Sequence, residues 1–486
     1  MIEFRDVTFF YGEETAPSVD GVSLKIDKGE TVVLCGESGC GKSTMTRLIN
    51  GLIPHFHEGK LEGEVLYDGK RTTDMRLYEL SEHVGSVFQD PRTQFYNVES
   101  TVELAFGCEN LGVPPEEIEQ RITRTATRFG LEELLDRNLF AMSGGEKQRI
   151  ACGSVDATNP ETLVLDEPSS NLDLFAIHDL AQVVQRWRDD GKTLVIAEHR
   201  IFYLVDLADR FIYIRDGRIE REFRPDELRT LSPEALEDLG LRAPDPWKLA
   251  PRAEARGSGE SLSLRSLKCI TRGRRRLSIP ELTLPRGEII AVIGRNGAGK
   301  TTLARTLCGL EKTGSGVLGI DGATHDIRKR RDLVYMVMQD VNHQLFTEDV
   351  ISELLLSMDG TDPDAEQKRA MEILRSLDLD DKSGRHPMSL SGGEQQRVAI
   401  GSAIAAGREI LILDEPTSGL DHKRMTQVAD YLTAMSADGK TVLVITHDIE
   451  LVLRCCSHAI YLVDGEVAQK SRMDETGAQQ LREFFE

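Results

Sequence analysis

Short, uninterrupted apolar runs alternate along the chain with longer amphipathic stretches. TVVLC (31–35), TLVL (162–165) and TLVIA (193–197) recur as IIAVI (289–293), ILIL (410–413) and TVLVI (441–445). Runs without a polar face suit strands of a parallel sheet covered on both sides, and the amphipathic stretches between them suit the helices that do the covering. The opening MIEFRDVTFFYG alternates instead, which predicts a strand with one buried face. IRDGRI (214–219) and LVDGEV (462–467) predict hairpins, because Asp-Gly supplies the positive φ of a tight two-residue turn.

The order of these elements is written twice. SGGE begins at Ser143 and Ser391, LDEP places Asp166 and Asp414, and a histidine follows an apolar run at His199 and His447. Each pair lies 248 residues apart (143 to 391, 166 to 414, 199 to 447). Three motifs in one register make the chain a tandem repeat. Lys42 and Lys300 are 258 apart, so the second copy is ten residues shorter before its SGGE. Between the copies, residues 220–260 are rich in proline and charge and lack sustained apolar periodicity, which predicts a linker with one short helix. The expected organisation is a first domain at 1–222, a linker at 223–259 and a second domain at 260–486.

Composition narrows the function. A chain of 486 residues exceeds what one core supports. Its 81 acidic against 59 basic residues give a net charge of −22, which disfavours a surface built to neutralise DNA or RNA phosphates. The eight cysteines are scattered, without the spacing of a zinc or iron–sulfur site, and suit a reducing cytosol. The start of the chain lacks the basic and apolar blocks of a signal peptide. No apolar run approaches the roughly 20 residues that span a bilayer, so a role at a membrane must come through partners.

GESGCGKST (36–44) and GRNGAGKTT (294–302) fit G-x-x-x-x-G-K-[ST], each after a strand and before a helix. In Gly36, Glu37, Ser38, Gly39, Cys40, Gly41 and in Gly294, Arg295, Asn296, Gly297, Ala298, Gly299, backbone N–H groups can close on phosphates. Lys42 or Lys300 then reaches the outer phosphates, with Thr44 and Thr302 completing the strings and Ser43 and Thr301 as Mg²⁺ ligands. A glycine turn without a ligand is the alternative, and two copies in register argue against it. Asp166 and Asp414 end buried strands, where open α/β sheets bind ligands, and are expected to hold Mg²⁺ directly or through water. The next residue, Glu167 or Glu415, is the candidate catalytic carboxylate that orients and polarises water.

Together these residues resemble the ABC ATPase family over nearly the whole chain apart from the linker. MSGGEKQR (142–149) and LSGGEQQR (390–397) look like the signature motif that sets this family apart from other P-loop enzymes. The resemblance implies two P-loop NTPase (RecA-like) domains of α/β class in tandem, each with an antiparallel β subdomain and a helical subdomain bearing the signature. It implies ATP and Mg²⁺ as ligands. It also implies head-to-tail pairing of the halves, with Ser143, Gly144, Gly145 and Glu146, or Ser391, Gly392, Gly393 and Glu394, capping the nucleotide held by the opposite P-loop. By the same resemblance Gln89 and Gln339 belong to loops touching Mg²⁺ and a membrane partner, Asp173 and Asp421 are the D-loop acids, and His199 and His447 contact the γ-phosphate.

Within the family, translation factors carry a long basic insert and ribosome-recycling members an N-terminal cysteine-rich domain, neither of which this chain shows. Sugar-importer ATPases remain an alternative, as does a soluble tandem ATPase acting on ribosomes or nucleic acid. VFQDPRTQFYN (87–97), VMQDVNHQLFT (337–347), VELAFGCEN (102–110) and GLIPHFHEGKLEGEV (51–65) are similar to energy-coupling factor importers. That resemblance implies a cytoplasmic subunit, peripheral on the inner face of the cell membrane. It would work with a transmembrane coupling protein and a small substrate-binding membrane subunit, and vitamins, their precursors or metal ions are the expected cargo. His55 and His57 suggest no metal site without further ligands.

The halves differ at one position of consequence. Tyr11 sits where the family stacks adenine on an aromatic ring, and the second half places Thr271 or Arg272 there. The second site is expected to grip adenine less well, or to stack it on an arginine of 272–276.

Overall fold

The computed structural model describes residues 1–252, 261–271, 273–320, 322–326 and 329–485. Arg272 and the linker residues 253–259 lie outside them. By its internal contacts the chain divides into two units, Met1–Pro246 with Gly419–Lys423, and Trp247–Ser418 with Arg424–Glu486.

In the first unit ten strands run β1 (Ile2–Tyr11), β2 (Val19–Ile26), β3 (Thr31–Cys35), β4 (Gly59–Tyr67), β5 (Lys70–Arg71), β6 (Val84–Val87), β7 (Thr162–Asp166), β8 (Thr193–Ala197), β9 (Arg210–Arg215) and β10 (Arg218–Phe223). One sheet has the order β2-β1-β4-β5 and is antiparallel. The other has the order β10-β9-β3-β8-β7-β6, parallel except for β10. The apolar runs predicted as strands are those of the parallel sheet, and their lack of a polar face has a direct cause. Val33 and Cys35 of β3 enter a core shared with the helices, while Val32 and Leu34, pointing the other way, enter a core shared with the antiparallel sheet. Leu194 and Ile196 against Val195 and Ala197 repeat the division in β8.

The second unit repeats the plan with β11 (Ser261–Thr271), β12 (Arg274–Pro285), β13 (Ile289–Ile293), β14 (Gly314–Ile320), β15 (Ala323–His325), β16 (Val334–Val337), β17 (Ile410–Asp414), β18 (Thr441–Ile445), β19 (His458–Val463) and β20 (Glu466–Arg472). Its sheets have the orders β12-β11-β14-β15 and β16-β17-β18-β13-β19-β20. Both predicted hairpins form, with Asp216 and Gly217 at φ 48° and 77°, and Asp464 and Gly465 at φ 48° and 78°.

A helical layer lies between β6 and β7. Helices Ser100–Asn110, Pro115–Phe129 and Gly144–Thr158 pack so closely that a Cβ on Gly153 would meet Leu131 Cδ1 at 2.8 Å and Leu104 Cδ2 at 3.0 Å. Trp187 of helix Leu174–Asp189 ties that helix to this layer: fully buried, it donates from Nε1 to Asp156 Oδ1 (2.9 Å), whose other oxygen accepts from Thr125 Oγ1 (2.7 Å). The second unit has the counterparts Val350–Leu356, Pro363–Ser376 and Gly392–Ala405.

The expected linker differs from the structure. After β10 the chain forms two short helices, Pro225–Arg229 and Pro233–Asp238, rather than one. Leu228, Leu236 and Leu241 are buried in the helical core of the first unit. Three apolar residues spread over this charged stretch supply its packing, which a search for sustained periodicity passes over.

Candidate functional site

Each parallel sheet presents its loops at the carboxyl ends of its strands, and the glycine loop, the Asp-Glu pair and the histidine of each half meet there. The glycine loop of the first half links β3 to helix Lys42–Ile49, that of the second links β13 to helix Lys300–Leu307. Gly41 and Gly299, the residues before these helices, have φ of 106° and 103°. A side chain at Gly41 would also meet the Ser18 carbonyl at 2.4 Å, so glycine is required there on two counts.

Lys42 is 3% exposed and donates from Nζ to the carbonyls of Gly36 (3.0 Å) and Glu37 (2.8 Å). Lys300 does the same to Gly294 (2.7 Å) and Arg295 (3.1 Å). The loop thus folds around its own ammonium group at a helix N-terminus, with the positive end of the helix dipole added to it. Ser43 Oγ donates to Asp166 Oδ1 (2.8 Å) and Thr301 Oγ1 to Asp414 Oδ2 (2.9 Å), joining the helix start to the end of β7 or β17. Burial pushes both aspartyl carboxyls above their ordinary range, against the pull of the hydroxyl bonds. A buried carboxylate beside a hydroxyl is an all-oxygen donor pair of the kind a hard divalent cation takes, and Mg²⁺ fits both positions.

The residue after each aspartate is strained. Glu167 has φ 44° and Glu415 φ 51°, left-handed values unusual for a glutamate, and each is pinned by its N–H to the neighbouring strand, at Ala197 O and Ile445 O (2.8 Å in both). The same neighbouring strand delivers the histidine. His199 Nε2 lies 3.2 Å from Glu167 Oε1, and His447 Nε2 lies 3.4 Å from Glu415 Oε1. Burial acts to raise the Glu167 carboxyl, but the His199 hydrogen bond and the charges of His199 and Lys42 hold it below its ordinary value. It is therefore a carboxylate at neutral pH, able to accept from a water.

The two halves differ around this glutamate. Gln89 Nε2 donates to Glu167 Oε2 (2.9 Å), whereas Gln339 is exposed and has no hydrogen-bond partner among the described residues. Asp173 caps helix Leu174–Asp189 by accepting from Ala176 N (2.8 Å), and Asp421 is buried.

The SGGE strings start helices. Ser143 N donates to Glu146 Oε2 (2.8 Å) and Glu146 N to Ser143 Oγ (3.3 Å), and Ser391 and Glu394 form the same capping box. Glu394 also pairs with Lys382. Burial opposes ionisation there, but Lys382 and the Ser391 N–H hold its carboxyl down at about 2. Serine and glutamate are thereby occupied in opening the helix, which leaves the glycine N–H groups of its first turn as the polar face of the string.

Along the side of the nucleotide helix, Tyr11 is half-buried. Its hydroxyl receives a bond from Arg47 Nη1 (2.9 Å) and lies 3.3 Å from Thr44 Oγ1, so two residues of helix Lys42–Ile49 fix the ring. The ring meets His57 edge-on at 6.1 Å. His57 comes from a stretch that is five residues longer in the first half, from Gly51 to Gly63 against Gly309 to Gly316. In the second half Thr271 of β11 pairs with Arg274 of β12, and Arg275 is engaged by Glu466 (3.0 Å). His55 bonds the Met75 carbonyl (3.0 Å), and no metal-binding group of three or more His, Cys, Asp or Glu occurs among the described residues. All eight cysteines are free and buried.

The family model described as ABC transporter matches residues 19–170 and 277–418. A protein of Treponema denticola named as an ABC transporter ATP-binding protein is 41% identical over 478 residues, covering 97% of both chains. One of the same name from Methanosarcina mazei is 33% identical over 519 residues, covering 96% of this chain and 88% of its own. Among solved structures, a chain from a model of ribosome-bound archaeal Pelota and ABCE1 shares the fold with a TM-score of 0.71 and 23% identity, covering 99% of this chain and 80% of its own.

Proposed function

This chain belongs to the ABC transporter ATP-binding family, whose members hydrolyse ATP, and we propose that it drives an importer of the energy-coupling factor type. The reading places it on the inner face of the cell membrane, working through a transmembrane coupling protein and a small substrate-binding subunit, with a vitamin, vitamin precursor or metal ion as cargo. No described helix is long and apolar enough to cross a membrane, so the translocation path would belong to those partners.

For hydrolysis, the observation that carries the assignment is the strained glutamate held against a histidine in both halves. Glycine N–H groups and Lys42 or Lys300 would hold the phosphates of ATP. Ser43 with Asp166, and Thr301 with Asp414, would hold Mg²⁺, which when bound neutralises charge on the transferred phosphoryl group. Glu167 or Glu415 orients the attacking water and accepts its proton, while His199 or His447 fixes the carboxylate and reaches toward the γ-phosphate.

For transport, support comes from the surface beyond Gln89 and Gln339. Tyr96 is 79% exposed and stacks on Phe106 (5.0 Å), and Phe346 is 72% exposed in the second half. Aromatic rings held out next to the catalytic loops suit a surface that passes a change at the nucleotide to a partner. The chain purified from its own cells in detergent should carry two hydrophobic membrane proteins. Tyr96→Ala/Phe346→Ala should lose them while still binding ATP, and vesicles holding all three proteins should take up cargo only with ATP. Retention on ribosomes at about 150 mM salt, with no membrane protein bound, would reverse this reading.

The first site would also hold adenine more tightly than the second. Tyr11→Ala is expected to weaken ATP binding at the first site by about 5- to 150-fold, the range of stacking of a base on an aromatic ring, and to spare the second. Calorimetric titration resolves the two sites, and unchanged affinity at both would remove the asymmetry.

A further inference from the structure

The two halves hold their histidine loops by different means. In the second half the carboxylate follows the histidine: Asp448 accepts from Thr417 Oγ1 (2.8 Å) and from Leu451 N (3.3 Å), and donates its own N–H to Thr446 Oγ1 (3.0 Å). Thr417 belongs to the loop carrying Glu415, so Asp448 ties the histidine loop to the glutamate loop. In the first half the corresponding residue is Arg200, which cannot accept a hydrogen bond and instead donates from Nη1 to the Leu172 carbonyl (3.4 Å).

We propose that Glu198, the residue before the histidine, is the positioning residue that sets His199 against Glu167. Glu198 is 2% exposed. One of its oxygens accepts from the N–H groups of His199 (2.7 Å) and Arg200 (3.1 Å). The other accepts from Tyr203 Oη (3.0 Å) and from the N–H of Ser169 (3.3 Å), and Ser169 occupies the place of Thr417 in the loop that carries Glu167. A single buried carboxylate therefore spans both loops and grips the backbone of the histidine itself. Burial, with the Glu198 charge next, pushes the Tyr203 phenol well above its ordinary range, so it stays a donor to this carboxylate. A buried charge with four donors is stable where a lone one would not be, and deleting it strands all four.

The order Glu-His-Arg in the first half and Thr-His-Asp in the second are then two solutions to one task, with the acid moved from one side of the histidine to the other. The inference rests on the role proposed above for His199 and Glu167. It concerns what holds the pair rather than what the pair does.

The test uses the full chain with ¹³C-labelled histidine, the His199 and His447 signals being assigned by their loss in His199→Gln and His447→Gln. Glu198→Ala is expected to move the His199 signal and leave that of His447 in place. It should lower kcat to about half the parental value or less, with the KM for ATP within about two-fold. Glu198→Thr/Arg200→Asp, which writes the order of the second half into the first, should restore both readings. If Glu198→Ala does not fold, Glu198→Gln, of the same shape, carries the same measurements. An unmoved His199 signal overturns the proposal, and so does a parental kcat for Glu198→Ala where His199→Gln itself lowers kcat. A His199→Gln chain that turns over at the parental rate instead removes the role of His199 and leaves the positioning contact standing, so the two failures are distinct.

Discussion

Glu167→Gln/Glu415→Gln is expected to stop ATP turnover almost completely, by about 10²- to 10⁴-fold, while ATP binding stays near its parental strength. Each glutamate occupies a left-handed backbone position that costs of the order of 1–3 kcal/mol, held in place by an N–H bond to the adjacent strand. Glutamine suits that backbone no better and no worse, so the fold should be indifferent to the exchange. What changes is the side-chain charge. Glu167 is kept ionised by His199 and Lys42 despite its burial, and an amide in its place neither accepts a proton from water nor attracts the histidine. Phosphate release and calorimetric binding of ATP check the two halves of the statement separately. Turnover near the parental rate in the double variant would remove both glutamates from the chemistry. Loss of binding instead would show that they shape the phosphate cradle.

Much of this site was legible in the chain because its chemistry is local in sequence. The glycine string, Lys42 and Ser43 lie within one strand–loop–helix unit, and so do Asp166 and Glu167 at the end of β7. The pattern then does the rest, since a run as short and as free of polar positions as TVVLC suits a strand with both faces buried, and it forms one. Other features depend on where distant segments meet, and those were not visible. Glu198 reads as an ordinary polar residue at a strand end, and only the approach of Ser169 and Tyr203 turns it into a buried hub. The reading of residues 223–259 as a linker rested on proline and charge, which are real, but Leu228, Leu236 and Leu241 find a core supplied by other elements. The SGGE strings could have been read further. Serine followed three residues later by glutamate is the pattern of a capping box, and both strings form one.

The P-loop lysines should govern affinity as the glutamates govern turnover. Lys42 and Lys300 are 3% and 7% exposed and are the cations enclosed by their glycine loops. In Lys42→Ala/Lys300→Ala the loop carbonyls of Gly36, Glu37, Gly294 and Arg295 lose their donor, and a bound triphosphate loses a buried positive partner. A hydrogen bond to a charged group contributes about 1.5–3 kcal/mol, and two or more of these vanish at each site, so ATP affinity should fall by roughly 10²- to 10⁴-fold. Lysine to arginine should not rescue it, because a planar guanidinium is larger than an ammonium and cannot aim its donors at Gly36 and Glu37 from the same enclosed position. The loss should appear in the titration of ATP at both sites, while the helices and sheets, whose cores do not include the ammonium, keep their circular dichroism. If the double variant still bound ATP with parental affinity, the glycine loops would not be where its phosphates sit.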